Sequence, residues 1–387
     1  MNHKQNFIPL SQPYIAGQEW KYLKECLDTG WVSSVGAYVN SFERKVADYI
    51  GCQHAVACVN GTSALHTALL VMGLEPNEEV IVPTLTFVAP ANAIRYCGAY
   101  PVFMDVDKKY WQMDVSKLSD FLKKECLFQN KKLVNKHTRR VIRGIMPVHL
   151  LGHPVDMTEV MALAKKHHLW VVEDAAESIG ALYKGSKVGS IGDIGCFSFN
   201  GNKIITAGGG GMLVTDTKDW QQKAQYLITQ AKDDPQEYIH EEIGYNYRLT
   251  NIQAAVGVAQ MEVLDSYIQT KKRIAGRYNK GLSDIKGLTL PQEAPWAQSI
   301  WWLYTILIDK KKFSQSSRNL LKTLSQKGIE TRSLWHPLDT LKPFQSCFAY
   351  HVKVAYQLYE QALSLPSCVN LTETQQHFVI DQIKSVV

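Results

Sequence analysis

A lysine among small residues, preceded in the chain by an acid that ends an apolar strand, is the pairing here with the most chemical content. Lys203 follows Cys196-Phe197-Ser198-Phe199-Asn200-Gly201-Asn202 and precedes Thr206-Ala207 and the glycine run Gly208 to Gly211. Upstream stands Val171-Val172-Glu173-Asp174-Ala175-Ala176-Glu177, an apolar run closed by acids. An amine can form a Schiff base with an aldehyde. An acid can keep a pyridine nitrogen protonated, so that the ring draws electrons. Lys203 and Asp174 in this order fit a pyridoxal phosphate site, with no metal required.

A third motif precedes them. Asn60-Gly61-Thr62-Ser63-Ala64-Leu65 lies between an apolar strand and an amphipathic helix. Small residues there let N–H groups at a helix N-terminus approach a phosphate, and Thr62 and Ser63 add hydroxyl donors. Each motif alone also has an ordinary reading. Asn60 to Ser63 would serve as an N-cap, Asp174 would cap the next helix, and Lys203 would sit on the surface. Gly208 to Gly211 lacks the GxGxxG spacing and the lysine-serine ending of nucleotide loops, so close backbone approach is its expected use.

The elements that would position these residues alternate along the chain. Val80 to Pro83, Pro101 to Asp105, Val141 to Val148, Leu169 to Glu173, Gly195 to Phe199 and Gly211 to Thr215 read as strands, and Ala89 to Tyr96 as a helix. Such alternation predicts a mainly parallel sheet covered by helices on both faces. After Thr250 the pattern changes. A long helix is expected from Asn251 towards Tyr278, a strand over Trp301 to Ile308, and helices near Ser314 to Lys327 and Ala349 to Ala362. The predicted organisation is a large α/β domain over residues 1–250 and a smaller α+β domain over 251–387. The first ~20 residues are expected to pack on the smaller one.

Composition narrows the function classes. A net charge of +6 over 387 residues is mild, and Lys123, Lys124, Lys131, Lys132, Lys136, Arg139 and Arg140 are interrupted by other residues. That reads as a solvated face, with no nucleic-acid partner. Cys26, Cys52, Cys58, Cys97, Cys126, Cys196, Cys347 and Cys368 form no CxxC pair, as expected of free thiols in a reducing compartment. Met1 to Pro9 has no apolar signal core, and no run approaches the ~18 apolar residues of a membrane helix. A soluble cytoplasmic protein is the expectation.

The order of motifs resembles fold-type I pyridoxal phosphate enzymes, and more narrowly the DegT/DnrJ/StrS family of sugar aminotransferases. The resemblance spans nearly the whole chain. It is carried by Ile8 to Pro13, Gly30 to Gly36 with Phe42-Glu43, and Pro147 to Gly152 with Asp156-Met157. It continues through Gly192-Asp193, Gly244 to Leu249, Trp335 to Leu338 and Leu363 to Pro366. Asn200-Gly201-Asn202-Lys203 followed downstream by the glycine run resembles a LegC-like subgroup.

The resemblance implies roles for individual residues. Lys203 forms the Schiff base, Asp174 pairs with the pyridinium nitrogen, and Phe87 stacks on the ring. Thr62, Ser63 and Ser198 hold the phosphate, which Asn246 reaches from a neighbouring subunit, giving a homodimer with shared sites. Glu177 stands where relatives carry Gln or His against the ring hydroxyl. Trp31, Trp335 and His336 would line the sugar entrance, though the tryptophans also read as core. His149 is either a substrate contact or a core histidine. The implied reaction moves an amino group from L-glutamate to a nucleotide-linked, UDP-type 4-keto-6-deoxy sugar, for amino sugars of surface polysaccharides or legionaminic-acid-like products. A sugar dehydratase and a non-catalytic regulator are argued against by Lys203 and Asp174. An amino-acid aminotransferase would need a carboxylate-binding arginine such as Arg332.

Overall fold

Alternate residues of each strand belong to different cores. Ile81, Val102, Val171 and Met212 join one buried cluster, while Val80, Val82, Phe103, Val172 and Leu213 join another. A period-two chain with both sets buried must be covered on both faces. The protein is described from a computed structural model that covers residues 7–234 and 236–386. The polar Met1 to Asn6 stretch lies outside the described residues.

The large sheet is built on β1 (His54–Cys58), β2 (Glu79–Pro83), β3 (Tyr100–Met104), β4 (Val141–Ile145), β5 (Trp170–Asp174), β6 (Ile194–Ser198) and β7 (Gly211–Thr215). Their spatial order is β1-β7-β6-β5-β4-β2-β3. β7 is antiparallel to both neighbours, and the pairs from β6 to β3 are parallel. Helix α1 (Gly61–Val71) and helix α2 (Ala89–Tyr96) feed Leu65, Leu69 and Ile94 into one core. Phe42, Val46, Phe121 and Val160 close the other.

Helix α3 (Asn251–Leu282) runs from the large sheet to the C-terminal part. Thr250 caps it by accepting from the Gln253 N–H. Its far end buries Ile274, Tyr278 and Leu282 against a small antiparallel sheet of β8 (Leu288–Thr289), β9 (Tyr304–Ile308) and β10 (Ala362–Leu365). Ile8 joins the same core, and its N–H donates to the Gly328 carbonyl at 2.8 Å.

Three predicted elements are shorter than expected, each for a local reason. The strand expected over Val141 to Val148 stops at Ile145, because Pro147 has no N–H for the ladder. The strand expected from Trp301 begins at Tyr304. Trp301 is left-handed at φ 53°, and the Ile300 N–H is given to the Gly152 carbonyl at 3.1 Å. The helix expected over Ala349 to Ala362 begins at Val354. Ala349–Tyr350 instead pairs in parallel with the edge strand β3.

Candidate active site

The carboxyl edge of a parallel sheet exposes strand ends and helix N-termini together, which is where such folds gather polar ligands. Asp174 is the last residue of β5, and Ser198 the last of β6. Gly61 opens α1 directly beside Ser198. A Cβ on Gly61 would lie 2.8 Å from the Ser198 Cβ, so only glycine allows this approach. The Asn60 side chain caps α1 by accepting from the Ser63 N–H at 2.8 Å.

A cavity of about 340 Å³ sits over this edge, lined among others by Thr62, Phe87, Asp174, Glu177, Ser198 and Lys203. From the C-terminal part come Trp302, Leu303, Arg332, Ser333, Trp335 and Ser364. The Lys203 amine lies 3.9 Å from Glu177 Oε1 and 4.2 Å from the centre of the Trp302 ring. The other Glu177 oxygen accepts the Leu151 N–H at 2.8 Å. Leu151 delivers that N–H from a left-handed backbone, φ 59°.

Burial governs the proton states. It pulls the Lys203 amine below the usual lysine range, while Glu177 and Asp174 oppose the shift. It raises the Asp174 carboxyl, against the Ala176 N–H at 3.0 Å and the Lys203 charge. It pushes Glu177 up to about 7. These are groups whose charge responds to what binds beside them.

Behind this wall a second network fixes the end of β5. Glu173 is fully buried. It accepts from His149 Nε2 at 2.9 Å and from the N–H groups of Gly189, Ile191 and Gly192 at 2.8, 2.7 and 2.6 Å. Burial alone would raise its carboxyl, but His149 and these donors hold it below the usual range. The remaining His149 nitrogen accepts the Val155 N–H at 3.1 Å.

Five of the expected residues lie outside the lining of this cavity. His149 is wholly buried with both nitrogens occupied, which favours the core reading of the two. Ser63 is buried inside α1, outside the cavity lining, and its contribution is the backbone N–H given to Asn60. His336 points away, bonding Thr340 Oγ1 at 2.8 Å and packing on Tyr359. Trp31 is 56% exposed and lines a separate cleft of about 670 Å³ with Tyr38 and Arg248. Asn246 is exposed and lies outside the cavity of its own chain.

The sequence reading missed Trp302. It was counted as strand, yet its ring walls the cavity and its indole N–H donates to the Asn202 carbonyl at 2.8 Å. The adjacent pair Trp301-Trp302 was the available signal, since two successive strand side chains cannot face one core.

The residues present fit pyridoxal phosphate. A small-residue cradle at a helix N-terminus suits the phosphate, a half-exposed Phe87 suits the ring face, a buried acid suits the ring nitrogen, and one amine serves the aldehyde. Neither the Thr62 nor the Ser198 hydroxyl is engaged by another protein group among the described residues.

Comparison with known proteins agrees with this geometry. Residues 13–384 match the DegT/DnrJ/EryC1/StrS aminotransferase family, and the chain belongs to it. It is 40% identical over 381 residues to a GDP-perosamine synthase of Caulobacter vibrioides, covering 98% of each chain. It is 37% identical over 347 residues to a UDP-N-acetyl-3-dehydro-alpha-D-glucosamine 3-aminotransferase of Acidithiobacillus ferrooxidans, covering 88% of this chain and 86% of the other. Among solved structures, Helicobacter pylori PseC, an aminotransferase of pseudoaminic acid biosynthesis, superposes with a TM-score of 0.88 at 26% identity, over 98% of this chain and 99% of that one. The chain is thus a pyridoxal phosphate-dependent sugar aminotransferase of fold-type I. No helix among the described residues is long and apolar enough to cross a membrane.

Proposed function

We propose that this protein moves an amino group from L-glutamate to the keto carbon of a nucleotide-linked 4-keto-6-deoxy sugar, in the cytoplasmic synthesis of amino sugars for surface polysaccharides. One observation carries the reading. A single amine, Lys203, shares an enclosed cavity with buried Asp174 and Glu177, in a chain of this family.

When bound, pyridoxal phosphate supplies an aldehyde for an amine and a ring that draws electrons from the carbon losing its proton. Lys203 carries that proton from the donor carbon and later delivers one to the sugar carbon. Burial lowers its pKa and so favours the neutral amine that takes up a proton. Asp174 would hold the ring nitrogen protonated, and Glu177 would serve the ring hydroxyl. Thr62, Ser198 and the N–H groups opening α1 would hold the phosphate, and Phe87 would cover the ring. Trp335 lines the sugar side of the cavity. Asn246 is assigned to the phosphate of a second copy, so that two chains complete each other's sites. The division of labour falls at Thr250, with residues 1–250 carrying the chemistry and 251–387 closing over it.

Similarity to the GDP-perosamine synthase over 98% of the chain favours GDP as the nucleotide. The UDP-sugar relative, at 37% identity, supports UDP as the second reading. The test is a half-reaction assay. Glutamate should bleach the cofactor's absorbance, and a GDP- or UDP-linked 4-keto-6-deoxy sugar should restore it. Restoration by an ordinary 2-keto acid and by neither sugar would establish an amino-acid aminotransferase instead. Borohydride reduction should fix the cofactor on Lys203, and recovery of the label on another lysine would overturn the site.

A further inference from the structure

Lys271 is the anomaly of helix α3. It is 2% exposed at a position where a helix buried in a core would carry Leu or Met, and no carboxylate pairs with it among the described residues. Its amine donates instead to two main-chain carbonyls, those of Trp302 at 2.6 Å and of Ser367. Only Cys368 is a titratable neighbour. A buried ammonium without an acid costs stability, so its position calls for a use other than stability.

The carbonyl it grips belongs to the residue that faces the cavity amine. Trp302 is 3% exposed, its ring lies 4.2 Å from Lys203 Nζ, and it stacks on Trp335 with ring planes 9° apart. Its backbone is pressed from the other side by Gly152, at φ +91°, where a Cβ would lie 2.9 Å from the Trp302 nitrogen. Trp301 is left-handed next to it. The ring is thus set by a backbone held at both ends, one of them Lys271.

We propose that Trp302 is the aromatic face on which the free Lys203 amine rests, and that Lys271 is the positioning residue that aims it. The inference rests on Lys203 being the reactive amine. An aromatic face stabilises a nearby ammonium, so Trp302 raises the acidity constant's midpoint for Lys203. It acts with Asp174 and Glu177 on the sheet side, against burial; Arg332, which lines the same cavity, is paired with Glu330 at 3.1 Å.

The test uses cofactor-free full-length protein and trace acetic anhydride, with acetylation of the Lys203 peptide followed by mass spectrometry across pH. The midpoint reports the charge state, whereas the amplitude reports access. Trp302→Leu keeps an apolar wall, and Ser11 Oγ still donates to the Asn202 carbonyl at 2.9 Å. It should move the midpoint down by about half to one and a half pH units. Lys271→Met should produce the same shift, and the double variant no more than either alone. An unchanged or raised midpoint in Trp302→Leu overturns the first half. An unchanged midpoint in folded Lys271→Met, or shifts that add in the double variant, overturns the second. Should Lys271→Met fail to fold, Lys271→Gln, which keeps a donor without the reach, is read by the same outcomes. Borohydride trapping on Lys203 is independent of these midpoints, so failure of the site assignment is seen separately.

Discussion

Two buried charges stand behind opposite walls of the cavity, and they are held in opposite ways. Glu173, behind the sheet wall, meets a histidine and three backbone N–H groups. Lys271, behind the C-terminal wall, meets only carbonyls. The first arrangement saturates the charge and locks the strand end that presents Asp174. The second leaves the amine without an opposite charge, and its two carbonyl bonds need only the two N–H groups that a neutral amine keeps. The difference separates a charge saturated by donors from an amine held by main chain alone. The lining differs too: both carboxylates and the amine come from the sheet side, and both tryptophans from the other.

The largest expected contrast is catalytic. Lys203→Ala should lower turnover of the glutamate half-reaction by about 10²–10⁴-fold, the contribution typical of a positioned acid/base. On the facing wall, Trp335→Phe should cost less than about tenfold, since it alters only one aromatic contact. Comparable losses would erase the distinction between the walls.

Stability gives the next contrast. Glu173→Gln places an amide among donors and removes the charge on which four of them converge, and should cost about 3 kcal/mol in urea unfolding. Lys271→Met removes a charge that was itself costly to bury, and should cost no more than about 1 kcal/mol. Equal costs would mean that Lys271 is as structural as Glu173.

A pH series sharpens the point, because the signs differ. Burial lowers Lys271 to about 7. A depressed lysine contributes stability above its unfolded value, and loses it as pH falls through the folded one. Wild type should therefore gain on Lys271→Met as pH rises from about 7 towards the ordinary lysine range. Glu177, raised by burial to about 7, runs the other way. Its contribution is full below the ordinary carboxylate range and fades as pH rises to about 7, a fade that Glu177→Gln should abolish. Urea midpoints at several pH values read both.

The smallest effect separates two neighbouring hydroxyls. Ser198→Ala should weaken cofactor affinity, whereas Ser63→Ala should change stability by less than about 0.5 kcal/mol and leave affinity alone. Titration of pyridoxal phosphate into each variant distinguishes them.

Much of the sheet wall was legible in the sequence because its information is local. Strand ends, an N-cap asparagine and a lysine before glycines are contiguous motifs, and Asp174, Lys203, Thr62 and Ser198 line one cavity as expected. The facing wall was not legible. Trp302 reaches the site only because α3 and the Gly152 loop hold its backbone, and neither is near it in the chain. His149 offered two readings of equal chemistry. Only the place of Glu173 beside it, set by the pairing of β5, decided between them. Ala349–Tyr350 pairs with β3 some 246 residues earlier in the chain (349 − 103), a partner that no local pattern names.

The earliest described residues have a consequence for how the protein is made. Ile8 bridges to Ile329, Leu10 accepts the Ser367 N–H, and Ser11 bonds the loop that carries Lys203. During synthesis Ile8 and Leu10 leave the ribosome long before their partners Ile329 and Ser367. The sheet wall can form while translation continues, yet the opening segment has to wait unpaired for some three hundred residues of growing chain. A nascent chain therefore carries Lys203 before it carries Trp302, Trp335 and Ser364, the later residues that close the cavity around it.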